Sequence, residues 1–327
     1  MIITRTPVRI PLGGGGTDLP SYYSRRGGAL IGAGINRYIY VMVNRRFERS
    51  IRVSYSQTEI VDSPDAIQHP IVREILRLLD LDEHLEITTI ADVPSNTGLG
   101  TSSSFAVGLL LALHAYKREH VPRQALAEEA YHIEHDILHE PVGKQDQYLA
   151  AFGGITTLDI ERSGYVRIGS VWLSDDAIDQ MESNILLFYT GLRRSASDVL
   201  TEQDKAAEEN EQEVLERLDA IKEIGLEIRH AFETGNLRRF GELLDVHWQT
   251  KRRLSNKVTS SQIDRWYRLA RENGALGGKI MGAGGGGFFM FYCDSSKAKL
   301  RTALTLEGLQ EMRFHIDRDG AKVLFDL

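Results

Sequence analysis

The sequence predicts an α+β protein in two domains, 1–180 and 181–327, on three observations. A chain of 327 residues that is 42% hydrophobic and 26% charged is long enough for roughly two buried cores. Its first part alternates β-branched and aromatic residues between glycine-rich turns, which is the pattern of strands. From Ala196 onward the spacing is helical and rich in Glu, Leu and Ala, until short apolar runs near the C-terminus restore the strand pattern.

Ile2–Ile10, Gly28–Asn44 and Ile51–Tyr55 read as strands, Val72–Leu79 as a helical patch and Leu85–Ile90 as a further strand. At Thr101 the period changes, and Phe105, Leu109 and Leu113 fall on one helical face. A second helix starts after Pro122, carries Leu126, Ala130, Ile133 and Ile137 on its stripe, and stops at Pro141. Gly153–Ile160 and Val166–Leu173 form a hairpin pattern, Ser174–Glu182 a polar break and Asn184–Tyr189 an apolar strand, which places the domain boundary near residue 180. Two helices separated by Gly235-Asn236 span Ala196 to about Ser255, and the acidic run Glu202–Glu216 reads as a solvated helix face. Ser261–Asn273 is a third helix. Leu276–Met281 and Phe288–Tyr292 are strands around a glycine run, Ser295–Leu306 is a helix, and Arg313–Ile316 and Lys322–Phe325 are terminal strands.

A formal charge of −7 provides no electrostatic footprint for nucleic acid or for an anionic membrane surface, so neither is expected as a partner. The longest apolar stretch, Phe105–Tyr116, is too short for a bilayer and contains His114. The single cysteine, Cys293, allows no internal disulfide and no cysteine-based zinc site. The expectation is a cytoplasmic protein that binds a small molecule; its assembly is open, a homodimer included. Any phosphorylated ligand must be held by local devices.

Three glycine-rich segments are candidates for such devices. Gly13-Gly14-Gly15-Gly16-Thr17-Asp18 directly follows a strand, and four consecutive glycines suit either a hairpin turn or a close backbone approach to a ligand. Pro94–Ser104 joins a strand to a helix and ends in hydroxyl residues at the helix start. Free N–H groups and the positive end of the helix dipole make that position an anion site, where a hydroxyl can also ligate the magnesium of a nucleotide. No P-loop lysine motif is present. Gly282–Gly287 fits G-x-G-x-x-G by spacing, but the strand-like Phe288–Tyr292 follows it, so it is no dinucleotide fingerprint. It is either a tight hairpin or a loop lying against a ligand.

His132, His135 and His139 fall at i, i+3 and i+7 of one helix, and His135-Asp136-Ile137-Leu138-His139 imitates a zinc-hydrolase motif with Asp in place of Glu. A metal-dependent hydrolase is therefore the rival reading from another class. Glu134 flanks the apolar stripe of the same helix. Asp146, between Gln145 and Gln147, is either an N-terminal capping carboxylate or a base aimed into a cleft.

Taken in order, Pro7–Asp18, Pro94–Ser104 and Lys279–Gly287 resemble the three motifs of the GHMP kinase family, which phosphorylates small metabolites with ATP. Arg9-Ile10-Pro11-Leu12, Gly143–Tyr148, Tyr189-Thr190-Gly191 and Gly277–Gly282 sharpen the likeness towards kinases of heptose 7-phosphate, with fucose kinase domains nearby. The resemblance implies a two-domain α+β kinase with its active site between the lobes, using ATP and Mg²⁺ on a sugar or sugar phosphate. Backbone from Ser95 through Asn96, Thr97, Gly98, Leu99, Gly100, Thr101 and Ser102 to Ser103 would wrap the ATP phosphates. Ser102 and Glu134 would ligate Mg²⁺, Asp146 would be the base or the orienting carboxylate for the attacking hydroxyl, and Arg9 would offset charge beside it. Gly15, Gly16, Thr17 and Asp18, with Gly284 and Gly285, would contact the acceptor. Galactose-type members carry Glu-His-Thr-Asp where this chain has Gly15-Gly16-Thr17-Asp18, which argues against galactose. The implied reaction is phosphorylation of the anomeric hydroxyl of a heptose 7-phosphate, a fucose-type 1-kinase being the alternative. The acceptor's own phosphate requires cations or backbone donors, for which the open Gly13–Gly16 backbone and the basic residues Arg193, Lys251 and Arg252 are the candidates.

Overall fold

Strands β1 (Ile2–Gly13) and β2 (Gly28–Arg45) pair antiparallel from Ile2↔Val43 to Gly13↔Ile31, and the rest of the first sheet is built outward from them. The computed structural model describes residues 1–82, 84–192, 211–254 and 258–327. β2 spans 18 residues and serves two further partners besides β1. Its first half pairs β6 (Ile155–Ile160) and its second half pairs β5 (Leu85–Ala91), which in turn carries β3 (Ile51–Ser54) in parallel. The edges are β4 (Thr58–Val61), β7 (Val166–Ser170) and the C-terminal β12 (Lys322–Asp326), which crosses back to pair β1. Val8, Ile10 and Leu12 on β1 are fully buried, as is Arg9 almost completely, because helices cover both faces of the sheet there.

The short helix α1 (Pro20–Arg26) follows the glycine turn, and α2 (Pro70–Leu78) precedes β5. Helix α3 (Thr101–Tyr116) is buried nearly all round and packs on β1 and β2 as the centre of the first half. Helices α4 (Arg123–Tyr131) and α5 (Gln145–Phe152) lie against it. The second sheet is antiparallel in the order β11 (Gln310–Met312), β8 (Ile185–Tyr189), β10 (Phe288–Tyr292), β9 (Gly277–Ile280). It is flanked by α8 (Leu237–Lys251), α9 (Ser261–Glu272) and α10 (Lys297–Leu306), with Phe289, Phe291 and Trp248 in its core. Helix α7 (Glu211–Glu233) links the halves, packing on α8 as well as on β1 and β2.

Ser174–Glu182 is not a loop: it forms α6 (Asp175–Asn184), with the Ser174 hydroxyl accepting from the Ala177 amide at 3.2 Å. Its two leading acids suit a helix N-terminus, and buried Met181 anchors one face, which outweighs the polar composition. The strand read at Arg313–Ile316 lies at Gln310–Met312 instead, and Ile316 makes only an isolated bridge to Ile35. The helical reading over residues 196–210 and 255 falls outside the described residues. Among the described residues no helix is long and apolar enough to cross a membrane.

Candidate active site

A cavity of about 630 Å³ opens between the halves, a size suited to a small-molecule ligand. Its floor begins on β1. Arg9 is held by a bidentate pair to Asp146, with Nε to Oδ1 at 2.7 Å and Nη2 to Oδ2 at 2.6 Å, while Nη1 donates to the Gly98 carbonyl at 2.6 Å. The guanidinium is almost wholly buried, whereas Asp146 remains about a quarter exposed to the cavity. Such a fork fixes the carboxylate's orientation as well as its charge.

The loop before α3 forms one wall. Gly98 has φ +79°, and a Cβ there would sit 2.5 Å from the Met281 carbonyl, so only glycine lets this loop touch the start of the third glycine segment. Asn96, Thr97, Gly98, Gly100, Thr101, Ser102 and Ser103 all line the cavity, and the first turn of α3 aims its free N–H groups at it. Ser102 donates to Glu134 Oε1 at 2.9 Å, and Gln147 donates to Glu134 Oε2 at 2.8 Å. Glu134 lies on a π-helical turn, His132–Ile137, that extends α4. Burial pushes its carboxyl up to about 7, against the opposing pull of Ser103, Gln147 and Ser102.

Lys144 fixes the start of α5: Nζ donates to Glu128 at 2.7 Å and to the Gly164 carbonyl at 2.9 Å. That position brings the Gln145 amide to Asp18 Oδ2 at 3.0 Å, and Gly16 N–H donates to Oδ1 at 2.9 Å. Burial raises the Asp18 carboxyl above its ordinary range, while the Gln145 amide pulls it back.

The opposite wall comes from the second half. Lys251 at the end of α8 donates to the Gly282 carbonyl, and Lys279 on β9 donates to the Leu12 carbonyl at 3.2 Å. Burial, then repulsion from Arg9, pushes Lys251 down to about 8; Lys279 is pushed well below its usual range by burial and by Lys251. His247, one helical turn before Lys251, also lines the cavity.

Several expected site residues stand elsewhere. Arg252 turns to Asp264 at 2.8 Å, away from the cavity. Gly284 packs on Val258 and the Gly285 amide donates to the Val258 carbonyl at 2.9 Å, so this stretch braces a loop and does not line the cavity. Thr17 is spent on the Gly14 and Ala29 carbonyls, which locks the glycine turn, while Gly15, Gly16 and Asp18 line the cavity. Ser95 is exposed outside the cavity, and Leu99 is buried with its carbonyl accepting from the Arg9 amide at 3.0 Å. Arg193 lies outside the described residues. His132 and His135 both bond Asp136 at 2.7 and 2.8 Å, and His139 is exposed at the helix end with φ +55°. No group of three or more metal-binding side chains is placed together among the described residues, so the hydrolase reading has no centre to work with. Sequence reasoning did not single out Lys279, His247 or Gln147 as site residues. A lysine inside an apolar strand was the available signal for the first; the other two follow helical phase that only the packing reveals.

The family model described as GHMP kinases N terminal domain matches residues 68–154, and GHMP kinases C terminal matches residues 228–307. A D-glycero-alpha-D-manno-heptose 7-phosphate kinase of Campylobacter jejuni is 30% identical, with 98% of each chain covered. An L-fucokinase/L-fucose-1-P guanylyltransferase of Bacteroides fragilis is 27% identical over 91% of this chain and 35% of its own. Among solved structures, a D-glycero-D-manno-heptose 1-phosphate kinase from Bacteroides thetaiotaomicron superposes with a TM-score of 0.82 at 24% identity, covering 100% of both chains. A Lactococcus lactis galactokinase complexed with galactose gives 0.75 at 19% identity, covering 98% of this chain and 94% of the other.

Proposed function

We propose that this chain, which belongs to the GHMP kinase family, phosphorylates the anomeric hydroxyl of D-glycero-D-manno-heptose 7-phosphate with ATP, releasing the 1,7-bisphosphate and ADP. It is a sugar kinase, transferring a phosphoryl group to an alcohol. The observation that carries the finer reading is the Arg9–Asp146 fork, set between a helix N-terminus lined with hydroxyls and a wall of basic side chains.

In this reading the backbone of Asn96–Ser103 receives the nucleotide phosphates, and the two lobes, 1–180 and 181–327, meet over the acceptor. Asp146 orients the anomeric hydroxyl and takes its proton as the oxygen attacks; Arg9 holds the carboxylate in place and balances its charge. Asp18 and the open backbone of Gly15 and Gly16 position the sugar, and Lys251 faces the acceptor from the other side. Glu134 and Ser102 fit a magnesium ion: a desolvated carboxylate with neutral partners and a neighbouring hydroxyl form a hard-oxygen donor set. When bound, Mg²⁺ supplies neutralisation of the phosphate oxygens. Such use of ATP suits a cytoplasmic enzyme.

A fucose-type 1-kinase is the second reading, favoured by the likeness to the Bacteroides fragilis protein. ADP release measured over a panel of sugars and sugar phosphates separates the two. Turnover with heptose 7-phosphate well above that with fucose supports the first reading, and the reverse order replaces it by the second.

A further inference from the structure

We propose that His247, Lys251 and Lys279 together form a subsite for a phosphate monoester at the far end of the acceptor sugar, so that these residues select a phosphorylated over an unphosphorylated acceptor. The inference rests on the sugar-phosphate reading above and assigns the part of the site that reading leaves open.

His247 is 1% exposed, lies in the cavity wall, and neither ring nitrogen has a hydrogen-bond partner among the described residues. A buried imidazole with both nitrogens unsatisfied is costly unless a ligand completes it. Lys279 is 2% exposed, and its hydrogen bond is to the Leu12 carbonyl, a neutral acceptor. Lys251 is likewise bonded to a carbonyl, that of Gly282. Three nitrogen-bearing side chains from α8 and β9 thus face one volume, and among the described residues no carboxylate is bonded to any of them.

The surrounding charges sharpen the argument. Arg9 on β1 adds a fourth basic group, and it is already matched by Asp146 on α5. Asp18 is the acid that Lys251 senses, and its two oxygens are taken by the Gly16 and Gln145 amides. A chain with a net charge of −7 therefore gathers basic groups at one wall of its cavity with no carboxylate bonded to them among the described residues. A dianion supplies the missing countercharge and enough acceptor oxygens for three donors. The wall stands on the second half, with Lys251 and Lys279 in range of Arg9 and of each other, whereas Glu134 and Ser102 stand on the first half with Gln147 and Ser103.

The test compares kcat/KM for D-glycero-D-manno-heptose 7-phosphate and for unphosphorylated D-glycero-D-manno-heptose, in the wild type and in Lys279→Met, Lys251→Met and His247→Gln. The wild type prefers the phosphorylated sugar, and each variant shrinks that preference by roughly 10- to 100-fold, mostly through KM for the phosphorylated sugar. ADP binding, retained in the variants, reports that they are folded, and Lys279→Arg recovers part of the preference because it restores the charge. A wild type that prefers the phosphorylated sugar, with variants that lose both activities by the same factor or keep the preference intact, overturns the subsite alone. The equal loss assigns the wall to the transferred phosphoryl group or to packing. A wild type indifferent to the phosphate, or inactive on both heptoses, overturns the underlying substrate reading instead.

Discussion

On the first-half side of the cavity, Arg9, Asp146, Ser102, Glu134 and Gln147 are bonded to one another or to adjacent backbone; on the second-half side, among the described residues, Lys251 and Lys279 bond carbonyls and His247 has no partner. The first wall is preorganised, with its geometry fixed before any ligand arrives. The second is electrostatically unfinished, and burial has pushed its lysines towards the neutral form. The contrast fits a division of labour in which catalytic groups must be rigid and selectivity is obtained from donors that only the correct anion satisfies.

Breaking the preorganised wall has the largest expected effect. Asp146→Asn keeps the shape and the nucleotide site but removes the proton acceptor, so kcat falls by roughly 100-fold or more, measured by steady-state ADP release. Near-normal turnover would remove Asp146 from its role. Gly98→Ala attacks the contact between the two walls. The positive φ and the 2.5 Å approach to Met281 predict a loss of about 1–3 kcal/mol in chemical denaturation, with weaker nucleotide binding. An alanine variant as stable as the wild type would mean that the loop has another way to pack.

Smaller effects sharpen the comparison. Ser102→Ala and Glu134→Gln each raise the Mg²⁺ concentration needed for half-maximal rate by roughly tenfold, and the double variant is less than additive because both groups serve one ion. Unchanged magnesium dependence in both would remove the ligand assignment. On the unfinished wall, Lys251 titrates at about 8 when folded against 10.5 for an ordinary lysine. The unfolded chain therefore binds more protons between these values, and stability contributed through this group rises with pH across that window. Relative to Lys251→Met, the wild type gains about 1 kcal/mol between about pH 8 and about pH 9 in denaturant titrations, and parallel pH dependences would mean that Lys251 is not strained.

The same contrast decided what could be read from the sequence. Arg9, Asp146 and the Asn96–Ser103 loop sit in contiguous motifs whose glycines and hydroxyls announce a phosphate site, and the structure brings them together at the cavity. The buried strands and α3 were legible for a related reason, since their apolar periodicity is local. The second wall is assembled from α8 and β9, whose members are 28 and 32 residues apart from Lys279 counted to Lys251 and His247, and no local pattern links them. Arg252 looked equivalent to Lys251 in the basic run, yet one residue of helical rotation points it at Asp264. The π-helical turn was equally hidden: it directs Glu134 inward while His132 and His135 stay with Asp136, undoing the metal-like spacing of the histidines. Composition misled at Ser174–Glu182, where a capping serine and one buried methionine suffice for a helix.

The most direct test of the central claim is the position of the new phosphate, read by phosphorus NMR after the protein is incubated with ATP, Mg²⁺ and D-glycero-D-manno-heptose 7-phosphate. The account predicts a second phosphorus signal coupled to the anomeric proton, growing in step with ADP, while the original 7-phosphate signal persists. A new phosphate on any other hydroxyl, or nucleotide hydrolysis that leaves the sugar unchanged, would contradict it.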